Sequence, residues 1–135
     1  MNKNTILIIT GEDSGDLYGG NLAKELYKLS PYLKISGVGG RHMRSAGVDI
    51  ICDVADIAVV GITEVVEKIA ILYRVYRNII SKLNSGTIRG VVLIDFPDFN
   101  LMVARTAKKR GIPVFYYVSP QIWAWRKGRI KTIKR

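Results

Sequence analysis

Cysteine and histidine are almost missing from this chain: Cys52 and His42 are the only ones. A lone cysteine cannot form a disulfide within the chain, which fits a cytoplasmic setting. One Cys and one His cannot build a Cys/His metal site, so no metal and no cofactor is expected. Long apolar runs are missing too. No stretch reaches the roughly 18 uncharged apolar residues of a membrane-crossing helix. The short apolar run Ile6 to Ile9 leads into Gly11-Glu12-Asp13 and lacks a small-residue cleavage site, so it reads as a first strand and not a signal peptide. Acidic residues are scarce, 11 against 21 Lys and Arg, for a net charge of +10. That imbalance implies an anionic partner: nucleic acid, a membrane surface or a phosphorylated substrate. The phosphate-binding fingerprints are also lacking. Gly11 to Gly15 has no G-x-G-x-x-G spacing, and Gly15 to Gly20 has no Gly-Lys-Ser/Thr ending.

What is present is 135 residues, enough for one domain with a core. The chain is organised around Gly90 to Asn100, where the β-branched run Val91 to Ile94 ends in Asp95 and Asp98. Such a run, bounded by Gly and Pro, predicts a buried strand. Further strands are predicted at Thr5–Thr10, Leu33–Ser36, Val48–Cys52 and Val114–Val118. Helices are expected over Leu17–Leu29, Arg41–Ala46, Thr63–Leu83 and Asn100–Arg110, with Pro31, Gly47, Gly86, Gly111 and Pro113 as stops. Gly37 to Gly40 reads as a tight turn at a strand end. Strands alternating with helices predict an α/β fold with a mainly parallel sheet flanked by helices. The helix over Thr63–Leu83 is apolar around much of its circumference. It is expected either to pack on the sheet or to offer an apolar face to lipid, beside Arg74, Arg77 and Lys82.

In an open α/β sheet, ligands bind at the carboxyl ends of the strands. Asp95 and Asp98 are expected in the turn there, as ligand-binding or catalytic carboxylates or as turn caps. The first loop carries Glu12, Asp13 and Asp16, which would repel phosphate and suit sugar hydroxyls. Ser14 or Asp16 could instead cap the following helix, and Gly15 would allow close backbone approach. His42 reads as a surface helix residue. Ser119 to Arg126 holds both tryptophans beside Gln121 and Arg126; Trp suits core packing, sugar faces and membrane interfaces alike. Six of the last ten residues are basic with no helix stop, and we expect the chain to be the front part of a longer protein.

Four stretches taken together resemble one family: Gly11-Glu12-Asp13-Ser14-Gly15-Asp16, Gly37-Val38-Gly39-Gly40, Ile94 to Asn100, and Tyr117 to Arg126. In this order they are similar to lipid-A-disaccharide synthases, whose pattern has alanine at the positions of Asp13 and Phe96 and serine at that of Gln121. The resemblance implies an inverting glycosyltransferase of two Rossmann-like domains, the GT-B type, which needs no metal. This chain, residues 1–135, would be the amino-terminal, acceptor-side domain, with the UDP-sugar domain absent from it. The reaction implied joins UDP-2,3-diacylglucosamine to 2,3-diacylglucosamine 1-phosphate, giving the β-1,6 disaccharide 1-phosphate. Asp98 then matches the base, with Asp95 orienting the loop. Glu12, Ser14 and Gly15 would hold sugar hydroxyls or complete the cleft, and Asn100, Gln121 and Arg126 are further substrate-binding candidates. Acylated substrates imply peripheral attachment to the inner leaflet of the inner membrane. Two alternatives remain at this point: an inactive truncated fragment, or a basic α/β nucleic-acid-binding module, for which no motif is visible.

Overall fold

The computed structural model describes residues 3–60 and 65–117. Five strands form one sheet: β1 (Thr5–Thr10), β2 (Lys34–Gly39), β3 (Asp49–Asp53), β4 (Ile88–Ile94) and β5 (Val114–Tyr117). The order is β3-β2-β1-β4-β5, and every pairing is parallel. The helices are α1 (Asp13–Leu29), α2 (Arg41–Ser45), α3 (Val54–Val60), α4 (Val65–Asn84) and α5 (Pro97–Lys109). Parallel strands need crossover connections, and helices supply them between β1 and β2, between β3 and β4, and between β4 and β5. The fold is the Rossmann-like α/β arrangement read from the sequence.

Side chains alternate across the strands and divide the core in two. Leu7, Ile9, Val38, Val91 and Leu93 face α3, α4 and α5, packing with Val75, Ile79, Leu83, Phe99, Val103 and Ala107. Ile8, Ile35 and Ile94 face the other way, onto α1 and α2, with Ala23 and Met43. The sheet is therefore sandwiched between two helical layers. Continuous β-branched runs in β1 and β4 are what a strand covered on both faces requires.

Helix α3 was not expected, and three boundary differences bear on the site. Strand β2 runs on through Gly37 and Gly39, where a turn was expected. A Cβ on Gly37 would lie 1.9 Å from the Ile8 carbonyl oxygen, so the glycine is there for close strand approach. Helix α1 begins at Asp13, four residues early, with Asp13 and Asp16 placed favourably in its first turn. Helix α5 begins at Pro97 rather than Asn100, because proline is suited to the first helical position. That shift puts Asp98 on the helix instead of in the turn before it.

Helix α4 packs on the sheet along one stripe and leaves a second apolar stripe exposed. Val75, Ile79 and Leu83 are buried against the sheet, while Val66, Ile69 and Tyr73 are exposed. No helix among the described residues is long and apolar enough to cross a membrane.

Candidate functional site

Strands β1 and β4 lie side by side in register, Thr10 opposite Ile94, and both end at the same edge. Beyond Thr10 the chain turns into α1 on one face; beyond Ile94 it turns into α5 on the opposite face. The two connections diverge and leave a crevice between them. This is the point where strand order reverses, and it is where open α/β sheets bind ligands.

The two turns touch. A Cβ on Gly11 would stand 2.6 Å from Cγ of Phe96, so only glycine lets the β1 turn lie against this ring. Gly15 is buried, and a Cβ there would fall 1.8 Å from Thr10 Oγ1 and 3.2 Å from Ile94. Its place in the site is thus a packing one: α1 can start hard against the ends of β1 and β4. Glu12 is the N-cap residue of α1, in extended conformation, and makes no side-chain cap bond. Glu12 and Ser14 are exposed at the rim.

Asp95 is the one non-glycine residue with positive φ among those described, at 43°. Asp tolerates this left-handed region better than most residues, at a cost of about 1–3 kcal/mol. The strained backbone sits at the strand-to-helix turn, half-buried. Asp98 is exposed in the first turn of α5. Asn100 is buried, 5% exposed, with its N–H donating to the Phe96 carbonyl oxygen at 2.8 Å. Its carboxamide oxygen is buried without a hydrogen-bond partner among the described residues. Gln121 and Arg126, with Trp123 and Trp125, lie outside the described residues.

The structure therefore brings Glu12, Ser14, Gly15, Asp95, Asp98 and Asn100 to one edge. It removes Asp16 from that group. Asp16 is 3% exposed and points away from the crevice, into the start of α2. Its carboxylate accepts three backbone N–H bonds, from Gly40 at 2.7 Å, His42 at 2.9 Å and Met43 at 3.0 Å. Asp16 thus caps α2, not its own helix, and Asp13 lines a cavity beside that cap with Gly40, Arg41 and Asp53. His42 sits half-buried beside this cap.

Sequence reasoning missed Tyr18 and Tyr117. Their rings lie 5.1 Å apart and join α1 to the end of β5 on the same edge of the sheet. An aromatic near the end of a predicted strand, just before a Trp-rich stretch, was the available signal. Behind Asp98, Phe99 stacks on Phe96 at 4.6 Å and meets Tyr76 of α4 edge-on at 6.2 Å. Among the described residues, no group of three His, Cys, Asp or Glu is placed to hold a metal ion.

Comparison with known proteins points the same way. The family model for lipid-A-disaccharide synthetase matches residues 6–135. A lipid-A-disaccharide synthase of Syntrophus aciditrophicus is 50% identical over 133 residues, covering 98% of this chain and 35% of that protein. Proteins of the same name are 46% identical in Geobacter metallireducens, over 96% of this chain, and 49% in Koribacter versatilis, over 96%. Each of those alignments covers 34% of the relative. The chain spans about a third of the length of the curated relatives it matches.

Proposed function

The chain belongs to the lipid-A-disaccharide synthetase family, and on that premise we propose that it is the acceptor-side domain of an inverting glycosyltransferase. The whole protein would join UDP-2,3-diacylglucosamine to 2,3-diacylglucosamine 1-phosphate. The domain that binds the UDP-sugar would lie outside these residues. The observation that carries the reading is the meeting of the Glu12–Ser14 and Asp95–Asp98 segments at the reversal point of the sheet. Carboxylates there suit sugar hydroxyls.

Asp98 is the proposed general base. Its carboxylate takes the proton from the acceptor's 6-hydroxyl as that oxygen attacks the anomeric carbon of the donor. The bond from that carbon to the diphosphate breaks with its electron pair leaving on UDP, and the configuration inverts to the β-1,6 linkage. Asp95 orients the turn that carries Asp98. Glu12 and Ser14 hold sugar hydroxyls across the crevice, Gly15 lets α1 start close against the ends of β1 and β4, and Asn100, Gln121 and Arg126 are further substrate contacts. Both substrates carry acyl chains, so the enzyme works at the inner-leaflet membrane surface. The net charge of +10 and the exposed Val66, Ile69 and Tyr73 beside Arg74 and Arg77 support that placement.

The test is a mass-spectrometric assay for the acylated disaccharide 1-phosphate, using the whole protein that carries this chain. Asp98→Asn should lower the rate about 10²- to 10⁴-fold, the range for loss of a positioned base. Product at an unchanged rate would move the base to Asp95 or Glu12. No product from the folded whole protein would refute the transferase reading.

A further inference from the structure

We propose that the cavity beside the Asp16 cap seats the phosphorylated sugar of the acceptor, with the phosphate on Arg41 and a ring hydroxyl on Asp13. The proposal rests on the function proposed above and says where its acceptor sits. The cavity has a volume of about 360 Å³. That is the small end of the range for small-molecule sites, roughly 300–1,000 Å³, and suits a single sugar ring. Its walls include Asp13 and Asp16 of α1, Arg41 and His42 of α2, and Asp53 at the end of β3. It lies at the carboxyl ends of β2 and β3, on the same edge of the parallel sheet as the crevice, and Asp13 directly follows Glu12 at the crevice rim.

The charges on the walls identify the occupant. Three carboxylates line the cavity, and two of them are already matched. Asp16 receives its three backbone N–H bonds. Asp53 accepts the Ala55 N–H at 2.9 Å and stands 3.3 Å from the Arg44 guanidinium. Among the described residues, neither Arg41 nor Asp13 forms an ion pair, with each other or with any other side chain. The cavity therefore keeps one uncompensated cation and one uncompensated carboxylate, held apart. A ligand that matches both brings an anionic group to Arg41 and a hydroxyl donor to Asp13. A sugar phosphate carries the two together, whereas a free anion would leave Asp13 facing a like charge. The N–H groups of Gly40, His42 and Met43 are taken by Asp16, so side chains, and not the start of α2, hold the phosphate. The order along the sheet edge also fits the acceptor. Arg41 follows β2, Asp13 follows β1 and Asp98 follows β4, and these strands are neighbours in that order. At about 4.8 Å per strand, the ends of β2 and β4 are about 10 Å apart. Around the acceptor, the 1-phosphate, the free 4-hydroxyl and the reacting 6-hydroxyl come in the same order. One sugar lying along the edge, with a hydrogen bond at each end, bridges Arg41 and Asp98.

The test uses the whole protein in micelles of a neutral detergent, with one donor and two acceptors: 2,3-diacylglucosamine 1-phosphate and the same sugar without its phosphate. The quantity read is the ratio of their kcat/KM values. Arg41→Gln should lower the preference for the phosphorylated acceptor about tenfold, the loss expected for one charge-assisted contact. Arg41 is exposed and makes no ion pair among the described residues, so its replacement makes little demand on the fold. Asp13→Asn should lower kcat/KM for both acceptors alike, by about threefold or more, and leave the ratio unchanged. An unchanged ratio in Arg41→Gln overturns the proposal. So does Asp13→Asn with undiminished turnover or a raised ratio, which would put Asp13 against the phosphate or outside the site. Calorimetric titration with glucosamine 1-phosphate reads the same cavity without turnover, and binding should weaken about tenfold in Arg41→Gln. Inorganic phosphate that binds as tightly as glucosamine 1-phosphate would assign the cavity to a free anion and overturn the sugar seat. If the wild-type protein turns over neither acceptor, the transferase reading itself fails. The titration then decides the cavity alone: equal binding by wild type and Arg41→Gln, or no binding by either, overturns it.

Discussion

Replacing Asp16 tests how the first loop is held. Its carboxylate receives N–H bonds from Gly40, His42 and Met43, and two of the three are fully buried. Hydrogen bonds to a charged group are worth about 1.5–3 kcal/mol each, and orphaned buried donors add a desolvation penalty. The two buried bonds alone amount to about 3–6 kcal/mol, and single substitutions rarely exceed about 5. Asp16→Ala is therefore expected to cost about 3–5 kcal/mol, a large share of the 5–15 kcal/mol typical of a domain. Asp16→Asn should be milder, about 1.5–3 kcal/mol. Its oxygen can still accept from Gly40 and Met43, which share Oδ1, while its amide group would face the His42 N–H. Urea unfolding followed by circular dichroism reads both values as shifts in midpoint at constant slope. The loss should also carry to activity, because Asp16 directly follows Gly15 and anchors the helical turn that displays Ser14. A change below about 1 kcal/mol for Asp16→Ala would refute the argument. An Asn variant as damaging as the Ala variant would show that the geometry of acceptance, and not the number of acceptors, had been misjudged.

Asp95 separates conformation from chemistry. Glycine accepts a positive φ without strain, so Asp95→Gly should not destabilise the fold by more than about 1 kcal/mol in thermal unfolding. If Asp95 orients the turn through its carboxylate, the same variant should lose at least about tenfold in activity; full activity would reduce Asp95 to a turn former. Cys52 should titrate above its ordinary value of 9.0: burial is the main cause, the Asp56 and Asp53 carboxylates add to it, and Arg74 opposes. The folded thiol then keeps its proton to higher pH than the unfolded one. Its contribution to stability is complete below that ordinary value and is lost as pH rises through the folded value. Unfolding midpoints between pH 8 and 10 should fall less steeply in Cys52→Ala than in wild type, and parallel curves would contradict this. Charge reversal at Arg74 and Arg77 should weaken sedimentation with anionic liposomes, more at low salt than at high. Unchanged sedimentation would count against the membrane-facing role of α4.

The strand ends were legible because β1 and β4 are short β-branched runs cut off by glycine or by acid and proline. Once Thr10 and Ile94 are placed, the two loops that follow them become candidates on any parallel sheet. The helix starts were harder to read. Gly19 and Gly20 lower the helical propensity of α1, yet they lie inside it because Met43 and the His42 backbone pack where side chains would be. Propensity gave way to a close α1–α2 contact that no local window contains. The cap made by Asp16 was hidden for the same reason, since its donors lie 24 to 27 residues away. Helix α4 is apolar on two sides, and periodicity alone could not choose between core and surface. The sheet buries one stripe, and α5 stands against part of the other.

The strand-end carboxylates then need a reason to be more than turn punctuation. The N-cap position of α5 is Phe96, which makes no cap bond, so Asp98 is not the N-cap residue. It stands one residue inside Pro97, where an acid gains about 0.3–1 kcal/mol from the helix dipole. If Asp98 were present for that alone, Asp98→Asn would cost about this much stability and leave catalysis intact. A general base predicts the same small stability change, within about 1 kcal/mol, together with a rate loss of 10²-fold or more. The rate of a variant shown to be stably folded therefore separates the capping account from the catalytic one. Asp95 sharpens the choice, because a turn that only had to connect β4 to α5 could use glycine and avoid the strain. The carboxyl group held in that conformation is the stronger sign that this turn was built for a ligand.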